Sequence, residues 1–240
     1  MEIKLVRHCE TEWNRLEKCQ GVSDICLNAN GIKQSNLLKE CFSNLNIDLI
    51  FSSDLQRAMQ TSEAINNSPN RKIEKSKKLR EMNQGDFEGL TFSFLRENHG
   101  DDLKSWRENP KDFRIPNGET LGEVQSRMIN FIEDVVNNFH ILKNIVIVSH
   151  NLAISSLICY YLKKDLRDFT TFKIDSASIS TLIYEDKKGE WQAEAVADIG
   201  DPSKVPLPVD ISITSDDKGL WIDTFMDGKA RYFDISDPHN

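Results

Sequence analysis

Arg7-His8, Arg57, Glu81 and a second histidine, His150, are the residues of this chain whose types and placement suit one chemistry. The Arg-His pair closes a short apolar run, Ile3-Lys4-Leu5-Val6, and polar residues follow at once. That pattern marks a strand ending in a turn, where open α/β sheets place their ligands. A second apolar run, Asn144 to Ser149, also ends on a histidine, His150, before an apolar helical segment. If the two strands are parallel neighbours, the two imidazoles meet over one crevice. Two histidines and two arginines around one pocket form a site for a doubly charged oxyanion, and a phosphoryl group is the natural occupant.

In this reading a neutral His8 nitrogen attacks phosphorus and carries the phosphoryl group as a covalent intermediate. Flanking arginines grip the phosphate and disfavour the imidazolium, so the ring stays nucleophilic. Arg57 follows Ser52-Ser53-Asp54 near the start of a helix, close to N-terminal amides that favour an anion. Glu81, in Leu79-Arg80-Glu81-Met82, stands ahead of a glycine-bearing loop. Its carboxyl group would protonate the leaving oxygen and later activate water. His150 ends a buried strand, where a polar side chain is costly unless paired. Each residue taken singly has an ordinary structural explanation; their joint placement carries the reading.

The elements that must hold these residues alternate to about Asp198. Strands are expected at Ile3–Val6, Ile47–Phe51, Lys72–Glu74, Asn144–Ser149, Ile179–Tyr184 and Trp191–Val196. Helices are expected at Gly31–Phe42, with Ile32, Leu37, Leu38 and Phe42 apolar, and from an N-cap among Ser52-Ser53-Asp54 through Ile65. Two more are expected, from the capping pattern Thr120-Leu121-Gly122-Glu123 to Phe139 and over 151–161. The polar segment Thr91–Asn117 is expected to be an insertion or lid. Strands joined through helices predict a three-layer α/β/α sandwich with a mainly parallel central sheet.

The 240 residues allow one full α/β domain and a modest appendage. No apolar stretch approaches the roughly 20 residues needed to cross a bilayer, and no secretory leader opens the chain, so a cytoplasmic location is expected. Five cysteines without a CxxC pair argue against a disulfide framework or a structural zinc site. No metal and no cofactor are expected. A net charge of −8 disfavours nucleic acid as a partner. It also makes the arginines and histidines at strand ends more telling, because the background field repels phosphate.

The stretch Leu5-Val6-Arg7-His8-Cys9-Glu10-Thr11-Glu12-Trp13-Asn14 resembles the opening motif of the histidine phosphatase superfamily, in its phosphoglycerate mutase-like branch. Gln20-Gly21, Leu27 and Gly31 keep that family's spacing. Ser52 to Ala58 with Thr61, Glu81 to Gly89, Pro116 to Thr120 and Val148-Ser149-His150 recur in its order. The resemblance spans about residues 1 to 197. It implies His8 as phosphohistidine nucleophile, Glu81 as proton donor and Arg7, Arg57 and His150 as the phosphate pocket. Asn14, Gln20 and Gly21 are implied as substrate-binding residues. The expected activity is hydrolysis of a small phosphomonoester; phosphoglycerate mutase-type transfer and a catalytically weakened phospholigand-binding relative are the alternatives.

The sequence departs from the family pattern at two places. Cys9 and Asn151 stand where glycine usually follows each histidine. Glycine suits close backbone approach or positive φ, so both changes are expected to narrow the pocket or slow turnover, with asparagine the milder of the two. Cys9 and Arg15 also have the spacing of a cysteine-dependent phosphatase loop, although the carboxylates and lack of glycine between them suit that loop badly. Beyond residue 198 the composition changes. Residues 199–240 read as a linker and a β-rich tail that is not expected to form an independent domain. Its last forty residues hold eight aspartates against three lysines and one arginine. Strands are expected at Val209–Ile213, Gly219–Phe225 and Lys229–Ile235, and Pro208 to Ile213, Ser215 to Asp217 and especially Arg231 to Pro238 resemble part of a selenium-binding protein (methanethiol oxidase) propeller blade.

Overall fold

The computed structural model describes residues 1–172, 174–185, 190–197, 210–213, 219–224 and 229–234. Five segments form the frame of the site: β1 (Glu2–Arg7), β2 (Leu49–Ser53), β3 (Ile73–Ser76), β4 (Asn144–Ser149) and β5 (Ile179–Glu185). With β6 (Glu190–Ala197) they make one six-stranded sheet in the order β3-β2-β4-β1-β5-β6. The first four of these strands are mutually parallel, and β5 and β6 add on as antiparallel neighbours. The sheet is therefore mixed, with its parallel part holding the strand ends of interest. β1 pairs with β4 in a register that sets Arg7 opposite Ser149. His8 and His150 consequently leave adjacent strands at the same level.

Strand alternation explains the three layers, because successive side chains point to opposite faces. Ile3, Leu5, Phe51, Ile145 and Ile147 pack in one core with Val124, Met128 and Ile132 of α6 (Leu121–Phe139) and Leu157 of α7 (Asn151–Tyr161). Val6, Ile50, Val146 and Val148 pack in the other, with Leu38 and Phe42 of α2 (Ala29–Phe42) and Ala58 and Ile65 of α3 (Gln56–Ile65). The short α1 (Glu12–Arg15) follows β1, capped by Thr11. Helix α6 starts at the expected capping box, with Thr120 and Glu123 bonded reciprocally.

Two local expectations are corrected. Ile32 of α2 is exposed, and the buried face instead carries Gly31, Gln34, Ser35, Leu38 and Phe42. Gln34 earns its burial by accepting the Glu10 amide through Oε1 at 2.8 Å. The N-cap of α3 is Leu55, which has no side-chain cap. Asp54 is engaged by Arg80, and the Gln56 amide is met by Asp24 Oδ1 at 2.6 Å, from a loop far earlier in the chain. The segment expected as an insertion contains two helices, α4 (Phe92–Asn98) and α5 (Gly100–Glu108), that roof the cavity described below.

In the tail, β7 (Asp210–Ile213), β8 (Gly219–Thr224) and β9 (Lys229–Asp234) form an antiparallel three-stranded sheet in that order. The linker and turns expected around Gly200–Pro208, 215–218 and 226–228 lie outside the described residues. Among the described residues, no helix is long and apolar enough to cross a membrane.

Candidate active site

A cavity of about 250 Å³ opens beyond the C-terminal ends of β1 and β4. Arg7, His8, Asn14, Gln20, Glu81 and Asn151 are among the residues of its polar side. Arg57 and His150 stand behind this wall, both fully buried. All five charged or imidazole groups singled out from the sequence thus converge on one place.

His8 is 2% exposed, and its Nδ1 lies 2.7 Å from the Cys9 carbonyl. A carbonyl only accepts, so Nδ1 carries the proton and Nε2 keeps its lone pair. The Arg57 Nε donates toward that Nε2 from 3.3 Å. Each terminal nitrogen of Arg57 also donates to a carbonyl, Nη1 to Ser23 at 2.8 Å and Nη2 to Gly21 at 2.6 Å, so these bonds use three of its five N–H donors. Burial lowers the Arg57 pKa to about 10, opposed by Glu81 and Asp24, so it stays a cation near neutrality. Burial, then Arg57 and Arg7, hold the His8 imidazole well below its usual range, so it stays neutral.

His150 lies with its ring centroid 5.0 Å from that of His8, tilted by 58°. Its Nε2 is 2.8 Å from Ser53 Oγ, and its Nδ1 is buried without a hydrogen-bond partner. Burial first, and Arg57 second, push its pKa well down. Arg7 donates through Nη1 to the Ile174 carbonyl at 2.5 Å, and its buried Nε is likewise unpartnered. With Trp106 Nε1, three buried nitrogens without partners belong to residues that line this cavity or stand behind its wall, which is unusual, since buried polar groups are nearly always satisfied.

Glu81 shows why its place was hard to read from sequence. Its carboxyl group sits at the N-terminus of α7, where Oε2 accepts from Leu152 N at 3.1 Å and Oε1 from Ala153 N at 3.2 Å. Oε1 also accepts from Met82 N at 2.9 Å. Burial nonetheless raises its pKa, against these bonds and the nearby Arg57 and Arg7. Arg127 of α6 fixes the backbone that carries it, donating to the carbonyls of Lys78, Arg80 and Glu81. A buried carboxyl group biased toward its neutral form, on the same cavity as a neutral imidazole, suits proton donation near a nucleophile.

Asn14 and Gln20 both line the cavity. Thr11 Oγ1 stands 2.9 Å from Asn14 Oδ1 and 2.8 Å from Gln20 Oε1, leaving their Nδ2 and Nε2 donors for a ligand. Gly21 does not line the cavity. It lies under Arg57, and a Cβ there would stand 2.6 Å from the Met82 carbonyl and 2.7 Å from Gln84 N. Glu88 completes that support by accepting from Val22 N at 2.7 Å and Ser23 N at 2.8 Å. The parts played by Ser53, Glu88 and Arg127 are not legible in the sequence, because each acts on another site residue: Ser53 on His150, Glu88 on the Gly21–Ser23 loop and Arg127 on the backbone of Glu81.

The two departures behave differently from expectation. Neither Cys9 nor Asn151 has positive φ. Cys9 is fully buried in the core with Val6 and Ala58, its amide donating to Thr61 Oγ1 at 3.0 Å. Burial pushes the thiol up to about 12, so it is neither a thiolate nor on the cavity wall. Arg15 is exposed and paired with Glu12. Asn151, expected to be the milder change, is the one that reaches the cavity.

Residues 3–198 match the histidine phosphatase superfamily (branch 1), and the chain belongs to that family. Phosphoserine phosphatase 1 of Hydrogenobacter thermophilus is 32% identical over 188 residues, 78% of this chain and 89% of that protein. The crystal structure of a phosphoserine phosphatase mutant from Entamoeba histolytica, in complex with phosphoserine, superposes with a TM-score of 0.71 at 28% identity. It covers 81% of this chain and 95% of its own. Curated relatives carry both phosphatase and phosphoglycerate mutase names. A separate similarity links 58 residues, 24% of this chain, to 13% of the methanethiol oxidase of Ruegeria pomeroyi at 74% identity. The tail resemblance is therefore real in sequence, and it covers a small part of that protein.

Proposed function

We propose that the protein is a phosphatase that hydrolyses a small phosphomonoester through a phosphohistidine on His8, with Glu81 as proton donor. The observation that carries this reading is the fixed tautomer of His8. Its Nδ1 is tied to the Cys9 carbonyl, and its unprotonated Nε2 accepts from Arg57 Nε at 3.3 Å on a ring that lines the cavity. In the first step Nε2 forms a bond to phosphorus, the ester P–O bond breaks, and Glu81 gives its proton to the departing alkoxide. In the second, Glu81 takes a proton from water, the water oxygen bonds to phosphorus, and the P–N bond breaks to release phosphate and neutral His8. Arg7 Nε, His150 Nδ1 and Arg57 are the groups that hold the phosphoryl oxygens. Asn14 and Gln20 bind the substrate from the side.

The mutase alternative needs further cations around the reacting group. Of Arg96, Lys104, Arg107, Lys111 and Arg114, none lines the cavity, and Arg114 is paired with Glu123. Hydrolysis is therefore preferred. Trapping with radiolabelled substrate should give an acid-labile, base-stable phosphoenzyme that is absent in His8→Ala. Label that persists in His8→Ala would refute the reading. Measuring phosphate release and 3-phosphoglycerate isomerisation on one preparation separates hydrolase from mutase.

A further inference from the structure

We infer that the alcohol this site releases is uncharged and apolar, about one ring in size; this rests on the phosphatase reading above. Opposite the polar wall, the cavity is closed by Phe87, Leu95, Leu103, Trp106, Ile115 and Phe169. Phe87, Leu95, Ile115 and Phe169 are buried, so this wall belongs to the core and persists without a ligand. Trp106 and Phe169 meet edge to face, with centroids 5.1 Å apart, which fixes the ring surface a ligand would meet.

Charge sharpens the choice. Among the described residues lining the cavity, the one cation besides Arg7 is Lys18, whose Nζ stands 5.7 Å from the Trp13 ring centroid. A further cation, Arg96, belongs to the outer hollow, together with the acidic Glu10, Glu17 and Asp175. On this wall the Trp106 indole Nε1 is buried without a partner and offers a ligand one neutral donor; a carboxylate on the alcohol part would otherwise meet aromatic and aliphatic carbon, which is costly for a charge. A benzyl-sized group would gain there instead. A volume of about 250 Å³ lies at the lower edge of the usual range for small-molecule sites, so a phosphoryl group and one ring fill it.

The test compares benzyl phosphate with O-phosphoserine, 3-phosphoglycerate and methyl phosphate on the full chain, by phosphate release. All four release alcohols of broadly similar reactivity, so differences report the pocket. The expected kcat/KM for benzyl phosphate is at least about tenfold above the other three, the scale of a pocket discriminating apolar groups. Trp106→Ala should lower it about tenfold more for benzyl phosphate than for methyl phosphate. Faster turnover of phosphoserine or phosphoglycerate than of benzyl phosphate would overturn the inference and leave the phosphatase reading standing. No release from any of the four, with no phosphoenzyme on His8, would overturn that reading and this inference with it. The substrate ranking stands without the variant, so a Trp106→Ala protein that fails to fold does not remove the test.

Discussion

Arg57 Nε approaches His8 Nε2 at 3.3 Å, while both terminal nitrogens of the same guanidinium are held by the carbonyls of Ser23 and Gly21. One cation is thus anchored on a loop and aimed at the imidazole nitrogen proposed to attack. Lysine has no planar fork to reproduce three such bonds. Arg57→Lys is expected to lower kcat by about 10²- to 10³-fold, the scale of removing one preorganised donor. Steady-state kinetics on a variant with native circular dichroism would check this, and a loss below threefold would remove Arg57 from the chemistry.

The pH profile follows from two opposed shifts. His8 is held well below 6.5 by burial and then Arg57, and Glu81 is raised above 4.5 by burial. If neutral His8 attacks and protonated Glu81 donates, kcat/KM declines on the acid side only below the usual histidine range. It declines on the alkaline side as Glu81 ionises, above the usual carboxyl range. Glu81→Gln should slow turnover and erase the alkaline limb; a limb that survives belongs to another group.

The same histidines bear on stability, and the sign is fixed by their lowered values in the fold. Near pH 6.5 and below, the unfolded chain binds protons at positions 8 and 150 that the folded chain refuses. Their contribution is therefore complete above about pH 6.5 and is lost as pH falls toward the folded values. His150→Gln should flatten the fall in Tm between pH 7 and pH 5. An unchanged slope would show that other groups dominate it.

Gly21 has no room for a methyl group between Met82 and Gln84. Gly21→Ala is expected to cost about 1–3 kcal/mol by overpacking and to displace the carbonyl that holds Arg57. Denaturant titration and kcat together should show both effects, with kcat falling at least tenfold at temperatures where the variant is folded.

Cys9 packs in the core, and its neutral thiol is off the cavity wall. Cys9→Ser should retain the phosphoenzyme and most turnover while losing about 1–3 kcal/mol for a buried hydroxyl. Loss of phosphoenzyme in Cys9→Ser, with retention in His8→Ala, would transfer the nucleophile's role to the thiol.

Every group proposed to act lies at or before His150, and the sheet ends with β6 at Ala197. Deleting the residues after Pro202 should leave phosphate release within about threefold of the full chain, at most with lower solubility. A truncated protein that folds but loses its turnover would give the tail a part in closing the pocket.

The sequence by itself determined the strands that end on Arg7-His8 and His150, the helices between them and the convergence of five polar groups. These rest on local patterns: two apolar runs, β1 and β4, each followed by a histidine, and the Thr120–Glu123 capping box. Tertiary structure alone decided what holds each group. The Asp24 carboxylate capping α3, the Glu81 carboxyl group at the start of α7 and Glu88 beneath the Gly21–Ser23 loop join residues far apart in sequence. So did the sorting of Cys9 into the core and Asn151 into the cavity, two neighbours of histidines with the same expected role. A local pattern reports the period of a helix or strand. Which side of a strand end a neighbouring residue leaves on, and which distant amide a carboxylate meets, depend on packing between layers that no short window of sequence contains.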